Sequence, residues 1–111
     1  SLVIYNGGLN DGGMTLEEYK HALRELVRIT RAHGKQLMLE QPNNATEHEW
    51  FDLPKFNERR AAMGSVAASE GVYFCEQPDV ELRDGAHPTA DGYAMKAKRL
   101  AECLADVLGV K

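Results

Sequence analysis

Three short apolar runs alternate with three longer amphipathic segments along the chain. Residues 2–5 read Leu-Val-Ile-Tyr, and similar apolar runs occur at 37–39 and 72–75. Short runs of this kind, partly β-branched and bounded by glycine, proline or asparagine, are typical of buried strands. We therefore predict strands at residues 2–5, 35–41 and 72–75, the first of them buried on both faces.

The segments between and after these strands have the spacing and the end signals of helices. Thr15 and Glu18 form a capping box ahead of an apolar stripe that repeats at helical intervals. Gly34 and Gly71 are the C-terminal stops expected of the first two helices. The predicted helices span residues 15–34, 53 to about 70, and 89 or 91 to 109.

This β-α-β-α-β-α order predicts an α/β fold with a parallel sheet covered by helices on both faces. Ligands of such sheets bind where the carboxyl ends of the strands meet. The loops that leave those ends are residues 6–14, 42–52 and 76–88. Candidate chemistry is therefore expected in these three loops.

The composition is that of one globular domain. The chain has 111 residues, of which 43% are hydrophobic and 27% charged, and this excludes a disordered or collagen-like chain. The 13 Lys and Arg against 17 Asp and Glu give a net charge of -4, so we expect no nucleic-acid partner. The acidic surplus is interpreted as solvated surface. No apolar run approaches the roughly 20 residues that span a bilayer, so we expect no membrane partner.

Two of the three loops carry residues suited to hydrolytic catalysis. Asp84 precedes His87 by three residues, a spacing at which the carboxylate can reach the Nδ1–H of the imidazole. Such a contact leaves Nε2 free as a base and stabilises the imidazolium. In the first loop, the Asn10 amide can donate to a developing oxyanion, and Gly8 allows close approach of a substrate. The alternatives are that Asn10 is a turn residue beside glycine and that His87 is a structural loop histidine.

These two blocks resemble the SGNH (GDSL) hydrolase superfamily. Gly8-Leu9-Asn10-Asp11 is similar to its G-x-N-D block, and Asp84-Gly85-Ala86-His87 is similar to its D-x-x-H block. The resemblance implies a flavodoxin-like three-layer α/β/α sandwich. It also implies hydrolysis of acyl esters or thioesters, or deacetylation of sugars, with no metal and no cofactor. The nucleophile would be a Ser, with His87 as base, Asp84 as its orienter and Asn10 as oxyanion donor.

The G-D-S block of that family is absent, and none of Ser1, Ser65 and Ser69 is predicted to lie at the carboxyl end of a strand. We therefore expect residues 1–111 to be the C-terminal part of a single hydrolase domain whose N-terminal half supplies the Ser. The expected partners are an ester substrate and that N-terminal half, or a swapped copy of this chain. The alternative is a non-catalytic carbohydrate-binding or structural module derived from the same fold.

Aromatic residues and cysteines each have two interpretations. Trp50, together with Phe51, either lines a substrate pocket for an acyl group or sugar or caps the core. Cys75 is either a buried structural cysteine, which we favour, or the nucleophile of a Cys-His-Asp site. Cys75 and Cys103 are predicted to make neither a CxxC pair nor a disulfide framework.

No metal site is predicted. His21, His33 and His48 lack ligand spacing with a third ligand nearby, so we interpret all three as solvated. The Asn44-Ala45-Thr46 glycosylation sequon is interpreted as a chance match, because nothing else in the sequence indicates secretion.

Overall fold

The computed structural model describes residues 1–8, 14–47 and 51–109, and its elements follow the predicted β-α-β-α-β-α order. Asn10 and Trp50 lie outside the described residues, so the structure says nothing of their side chains. No helix within the three described ranges is long and apolar enough to cross a membrane. The elements are β1 (Leu2–Tyr5), α1 (Leu16–Ala32), β2 (Gln36–Glu40), α2 (Leu53–Glu70), β3 (Tyr73–Cys75) and α3 (Ala90–Leu108).

The three strands form one parallel sheet in the order β1-β2-β3, with β2 in the centre. Ile4 pairs with Met38 across the first two strands, and Met38 pairs with Tyr73 across the last two. Because strand side chains alternate between faces, Leu37 and Leu39 point to one side of the sheet and Met38 points to the other. All three β2 side chains are buried, as expected for a sheet with helices on both faces.

Helices cover both faces and make a three-layer α/β/α arrangement. α1 and α2 lie over the face that carries Leu37 and Leu39, and α3 lies over the face that carries Met38. The predicted α/β fold class is therefore confirmed. The buried members of the larger cluster, under α1 and α2, are Tyr19, Leu23, Val27, Leu37, Leu39, Met63, Val66 and Ala67.

The helix ends follow local sequence signals. The hydroxyl of Thr15 accepts from the Glu18 N–H, and the Glu18 carboxylate accepts from the Thr15 N–H, which completes the predicted capping box. α3 begins after Thr89, whose hydroxyl accepts from the N–H of Gly92, so Thr89 is the cap of the two candidates. Gly71 ends α2 with a φ of 69°, a left-handed conformation that glycine adopts without a Cβ penalty.

β1 is an edge strand among the described residues, and it is less buried than predicted. Ile4 is 39% exposed, since the apolar cluster under α3 includes Leu2 but not Ile4. Beside the strand, side chains of β1 and α1 line a largely apolar groove of about 470 Å³ that includes Tyr5, Leu26 and Ile29. The prediction that β1 is buried on both faces is therefore wrong for the part of the chain that the structure describes.

Cys75, at the end of β3, and Cys103, on α3, form a disulfide with a Cα–Cα distance of 5.8 Å. Both residues are buried in the cluster under α3. Cys75 is thus structural, as interpreted, but it is not a free cysteine, and the alternative of a Cys-His-Asp nucleophile is wrong because a bonded sulfur offers no thiolate. The sequence did not reveal the bond because 28 positions separate the two cysteines and only the packing of α3 brings them together.

Candidate active site

Asp84 and His87 lie in a loop that closes on itself between β3 and α3. We call residues 81–89 the dyad loop. An antiparallel bridge joins Leu82 to Pro88, and the His87 carbonyl accepts a backbone hydrogen bond of 2.7 Å from across the turn. The two candidate side chains are therefore presented by a turn that has its own backbone hydrogen bonds.

The Asp84 carboxylate contacts His87 through both of its oxygens. Oδ2 lies 2.8 Å from the imidazole Nδ1, and Oδ1 accepts from the backbone N–H groups of His87 at 2.7 Å and Ala86 at 3.1 Å. The backbone hydrogen bond from His87, then the one from its side chain, hold the pKa of Asp84 well below its usual range. The carboxylate therefore stays charged beside the ring, an arrangement that favours the Nδ1–H tautomer and leaves Nε2 free.

Solvent reaches this pair. The Asp84 and His87 side chains are 48% and 53% exposed. A base that must meet a substrate needs such access, so the exposure is compatible with the predicted roles. The contact between the two side chains is a feature of the structure, whereas base and orienter stay predictions.

Gly92 lets the first turn of α3 pack against the start of the dyad loop. A Cβ at position 92 would lie 2.7 Å from the carbonyl oxygen of Glu81, a backbone atom that cannot rotate away. The N–H of Thr89 donates to that same carbonyl at 3.0 Å. Any side chain at position 92 would therefore push the dyad loop away from the helix.

The β2–α2 loop, described over residues 41–47, is hydrogen-bonded to the tip of the dyad loop. The Thr46 N–H donates to the Gly85 carbonyl at 2.8 Å, and the Asn43 amide donates to the Ala86 carbonyl at 2.9 Å. Two successive carbonyls between Asp84 and His87 are thus held by the neighbouring loop. Sequence reasoning assigned no role to Asn43, because a lone asparagine in a polar loop carries no distinguishing signal.

Asn44, next in the chain, joins the β2–α2 loop to Val80, the residue just before the dyad loop. Its side chain accepts from the Val80 N–H at 2.8 Å and donates to the Val80 carbonyl at 3.2 Å. The amide nitrogen of the predicted chance sequon is therefore used within the fold. The interpretation of the sequon as a chance match stays a prediction.

The start of the β1–α1 loop is held by side chains from two helices. Tyr19 donates its hydroxyl to the Gly7 carbonyl at 3.1 Å, and Arg59, only 3% exposed, donates to the Gly8 carbonyl at 3.1 Å. Gly8 has a φ of 125°, and a Cβ there would lie 3.1 Å from the Tyr19 hydroxyl. Glycine is therefore required at position 8 by the backbone, and substrate binding by Gly8 remains a prediction. Asn10, the predicted oxyanion donor, follows outside the described residues.

A buried polar cluster joins the end of β2 to the β2–α2 loop and to α3. Glu40, 8% exposed, accepts from the Gln77 amide at 2.7 Å, and Lys96 donates to the Asn43 Oδ1 at 3.0 Å. Burial lowers the pKa of the Lys96 ammonium, and the charge of Glu40 opposes part of that shift. Sequence reasoning missed this cluster because it interpreted the charged residues as solvated surface.

The aromatic pair in the β2–α2 connection falls partly within the described residues. The ring of Phe51 packs against that of Phe56, with 5.3 Å between centroids and a tilt of 55°. Phe56 is fully buried, so Phe51 packs on a buried side chain of α2. Trp50, which is predicted to line a substrate pocket, lies outside the described residues.

All three serines of the chain are described, and none lies at the carboxyl end of a strand. Ser1 precedes β1, and Ser65 and Ser69 lie within α2. The Ser69 hydroxyl donates to a carbonyl of its own helix at 3.1 Å. The chain therefore holds the Asp84–His87 pair without a serine at the same edge of the sheet.

His21 and His33, the described histidines other than His87, show no sign of a shared site. His21 and His33 are exposed on α1 and at its end, and His48 lies outside the described residues. Within residues 1–8, 14–47 and 51–109, no group of three or more His, Cys, Asp or Glu side chains could hold a metal ion.

Three solved structures share this fold over nearly the whole chain. A GDSL-like lipase from Bacteroides thetaiotaomicron superposes with a TM-score of 0.80 at 20% identity, over 96% of this chain and 62% of that one. A protein assigned as an arylesterase from Agrobacterium tumefaciens gives 0.77 at 23% identity, over 96% and 61%. A protein assigned as an acylhydrolase from Bacteroides fragilis gives 0.78 at 18% identity, over 96% and 62%. No protein-family profile and no curated protein matches the chain.

These similarities define the class of fold. The chain has a GDSL hydrolase-like α/β fold, which confirms the resemblance drawn from its sequence at the level of fold. It spans about 62% of the length of the structures that it matches.

Proposed function

We propose that the chain is the C-terminal part of a serine ester hydrolase of the SGNH (GDSL) type. The observation that carries the proposal is the 2.8 Å contact between Asp84 Oδ2 and His87 Nδ1, in a loop that follows a strand of a GDSL hydrolase-like fold. The proposed substrates are acyl esters, such as O-acetylated sugars, lipid esters or thioesters. Residues 1–111 would form part of one hydrolase domain.

In this mechanism His87 is the general base. Its Nε2 takes the proton of a serine hydroxyl while the serine oxygen attacks the acyl carbonyl, and Asn10 donates a hydrogen bond to the oxyanion. Collapse of the tetrahedral intermediate breaks the ester bond, and His87 gives the proton to the departing alkoxide. Water then repeats these steps on the acyl-serine, which releases the carboxylic acid and restores the serine. Asp84, ionised throughout, stabilises the imidazolium formed in each half-reaction.

The serine is proposed to come from a segment outside this chain. The serines of the chain lie away from the carboxyl ends of the strands, and the chain spans only 62% of the GDSL-like lipase. No strand among the described residues pairs with the outer edge of β1, and Ile4 and Ile29 beside it are 39% and 46% exposed. A parallel strand on that edge, with apolar side chains in the adjacent groove, would cover both. The proposed partner is the N-terminal half of the hydrolase, or a swapped copy of this chain.

Steady-state hydrolysis of p-nitrophenyl acetate by the full-length protein tests the proposal. His87→Ala is expected to lower kcat/KM at least about 1,000-fold, because the base is lost. Asn10→Ala is expected to lower kcat about 100-fold with little change in KM. His21→Ala removes an exposed imidazole from α1 and is the matched control, with kcat and KM unchanged.

Wild-type turnover in the His87→Ala protein would rule out the assignment of the base. A full-length wild-type protein that binds acetylated sugars without hydrolysing them would instead identify the chain as part of a non-catalytic carbohydrate-binding module.

A further inference from the structure

Asn43 is a buried asparagine with every polar atom of its side chain in use. It is 5% exposed, its Nδ2 donates to the carbonyls of Ala86 at 2.9 Å and Asn44 at 2.8 Å, and its Oδ1 accepts from Lys96 Nζ at 3.0 Å. A lysine ammonium can only donate hydrogen bonds. Lys96 therefore fixes the orientation of the amide, with the oxygen toward α3 and the nitrogen toward the dyad loop.

The geometry within the Asp84–His87 pair does not need Asn43. Asp84 binds the backbone and the side chain of His87 within the same turn, so that pair would persist if the whole turn moved. The position of the turn relative to the sheet depends on contacts with other elements. At the tip, they include the hydrogen bond from the Thr46 N–H to the Gly85 carbonyl and the one from the Asn43 amide to the Ala86 carbonyl.

These two anchors differ in kind. Thr46 donates its backbone N–H at 2.8 Å, which a side-chain substitution leaves in place, and adds only a long contact of 3.5 Å from its hydroxyl, whereas Asn43 donates from its side chain. Ala86 is the residue directly before His87, so the Asn43 amide holds the peptide unit that carries the imidazole. The Asn43 side chain is buried under the loops and is not placed to touch a substrate.

We propose that Asn43 is a positioning residue for His87, which acts through the Ala86 carbonyl and is itself oriented by Lys96. This inference rests on the proposed function, because it concerns where the base stands relative to the reacting serine. A displacement of a catalytic group by about 1 Å can lower the rate about 100-fold. Loss of the anchor should therefore lower kcat and leave substrate binding, and with it KM, nearly unchanged.

The experiment compares Asn43→Ala with Asn44→Ala in the full-length protein. Asn44 is the matched control, because it is the neighbouring residue of the same type and makes two side-chain hydrogen bonds to Val80, just before the dyad loop. Both variants are expected to lower Tm by similar amounts. Asn43→Ala is expected to lower kcat about 10- to 100-fold with KM within about threefold, whereas Asn44→Ala keeps kcat within about threefold.

Asn43→Asp is the second variant, and it separates donation from folding. A carboxylate at position 43 still accepts from Lys96, which preserves the contact with α3, but it cannot donate to the Ala86 carbonyl. We expect Asn43→Asp to lose kcat as Asn43→Ala does, with a smaller loss of Tm. Wild-type kcat in Asn43→Asp, or equal losses of kcat in Asn43→Ala and Asn44→Ala, would overturn the proposal.

Backbone ¹⁵N relaxation of Ala86 and His87 provides a readout that does not depend on activity. The order parameters of both residues are expected to fall in Asn43→Ala and to stay at wild-type values in Asn44→Ala. If His87→Ala retains activity, the proposed function is wrong. The order parameters of Ala86 and His87 would still show whether Asn43 anchors the dyad loop. Unchanged order at Ala86 and His87 in Asn43→Ala would overturn it.

Discussion

Removal of the Cys75–Cys103 disulfide should destabilise the protein strongly and loosen the helix that follows the dyad loop. The bond ties the end of β3 to α3, whose apolar contacts with the sheet are the smaller of the two core clusters. Because the dyad loop leads directly into α3, greater mobility of this helix would also increase the mobility of Asp84 and His87.

The magnitude follows from the length of chain that the bond closes. For a separation of 28 residues, the loss of loop-closure entropy in the unfolded state corresponds to about 3.5 kcal/mol at 25 °C. In a domain of about 150–250 residues, a loss of that free energy corresponds to a fall in Tm of about 10 °C. Alanine is the suitable replacement, since serine at these buried positions would add a hydroxyl without a partner.

Urea denaturation followed by circular dichroism measures the effect in three variants: Cys75→Ala, Cys103→Ala and the double variant. Each of them abolishes the cross-link, so all three should lose about 3.5 kcal/mol, and the two single losses should sum to about twice the loss of the double variant. The reasoning would be refuted if each single variant lost less than about 1 kcal/mol of unfolding free energy and the two losses added in the double variant. Two reactive thiols in the unfolded, unreduced wild-type protein would accompany that result.

Three further predictions concern the dyad and the sheet edge. Because the depressed pKa keeps Asp84 ionised down to low pH, the pH profile of kcat/KM should show no limb from protonation of this carboxylate, and such a limb would contradict the assignment. The contact of Asp84 with His87 stabilises the fold above the ordinary carboxyl pKa, and this stabilisation is lost as pH falls through the lowered value. Gly92→Ala places a Cβ 2.7 Å from the Glu81 carbonyl oxygen, so we expect the free energy of unfolding in urea to fall by about 1–3 kcal/mol and kcat to fall with it. Unchanged stability and unchanged kcat would contradict the close packing of the dyad loop and α3. Residues 1–111 expressed alone should form swapped or aggregated species in light scattering, because no strand among the described residues covers the outer edge of β1. A cooperative monomer would contradict this prediction.

Much of the fold could be predicted because its signals are local. The capping box of Thr15 and Glu18 begins α1, Gly71 ends α2, and Thr89 caps α3. The apolar run Leu37-Met38-Leu39 likewise indicates a strand by itself, and the structure buries all three side chains. Short-range steric and hydrogen-bonding preferences determine each of these features, and no distant partner is needed.

The features that the sequence did not reveal depend on distant partners. Cys75 contacts Cys103 only when α3 packs on the sheet. The buried carboxylate of Glu40 depends on a hydrogen bond from Gln77, which lies in the loop after β3. The exposure of Ile4 depends on which strand α3 covers. The Asp84–His87 contact, by contrast, is one of the local features that the sequence indicates, because both residues lie in one turn and are three positions apart.

Labelling with a fluorophosphonate tests most directly the claim that His87 activates a serine supplied from outside residues 1–111. The probe forms a stable adduct with a serine whose hydroxyl is activated by a neighbouring base. Mass spectrometry of the full-length protein is predicted to find one adduct, on a serine outside residues 1–111, and at least about 100-fold slower labelling in His87→Ala. Equal labelling rates in the two proteins, or an adduct on Ser65 or Ser69, would contradict the account.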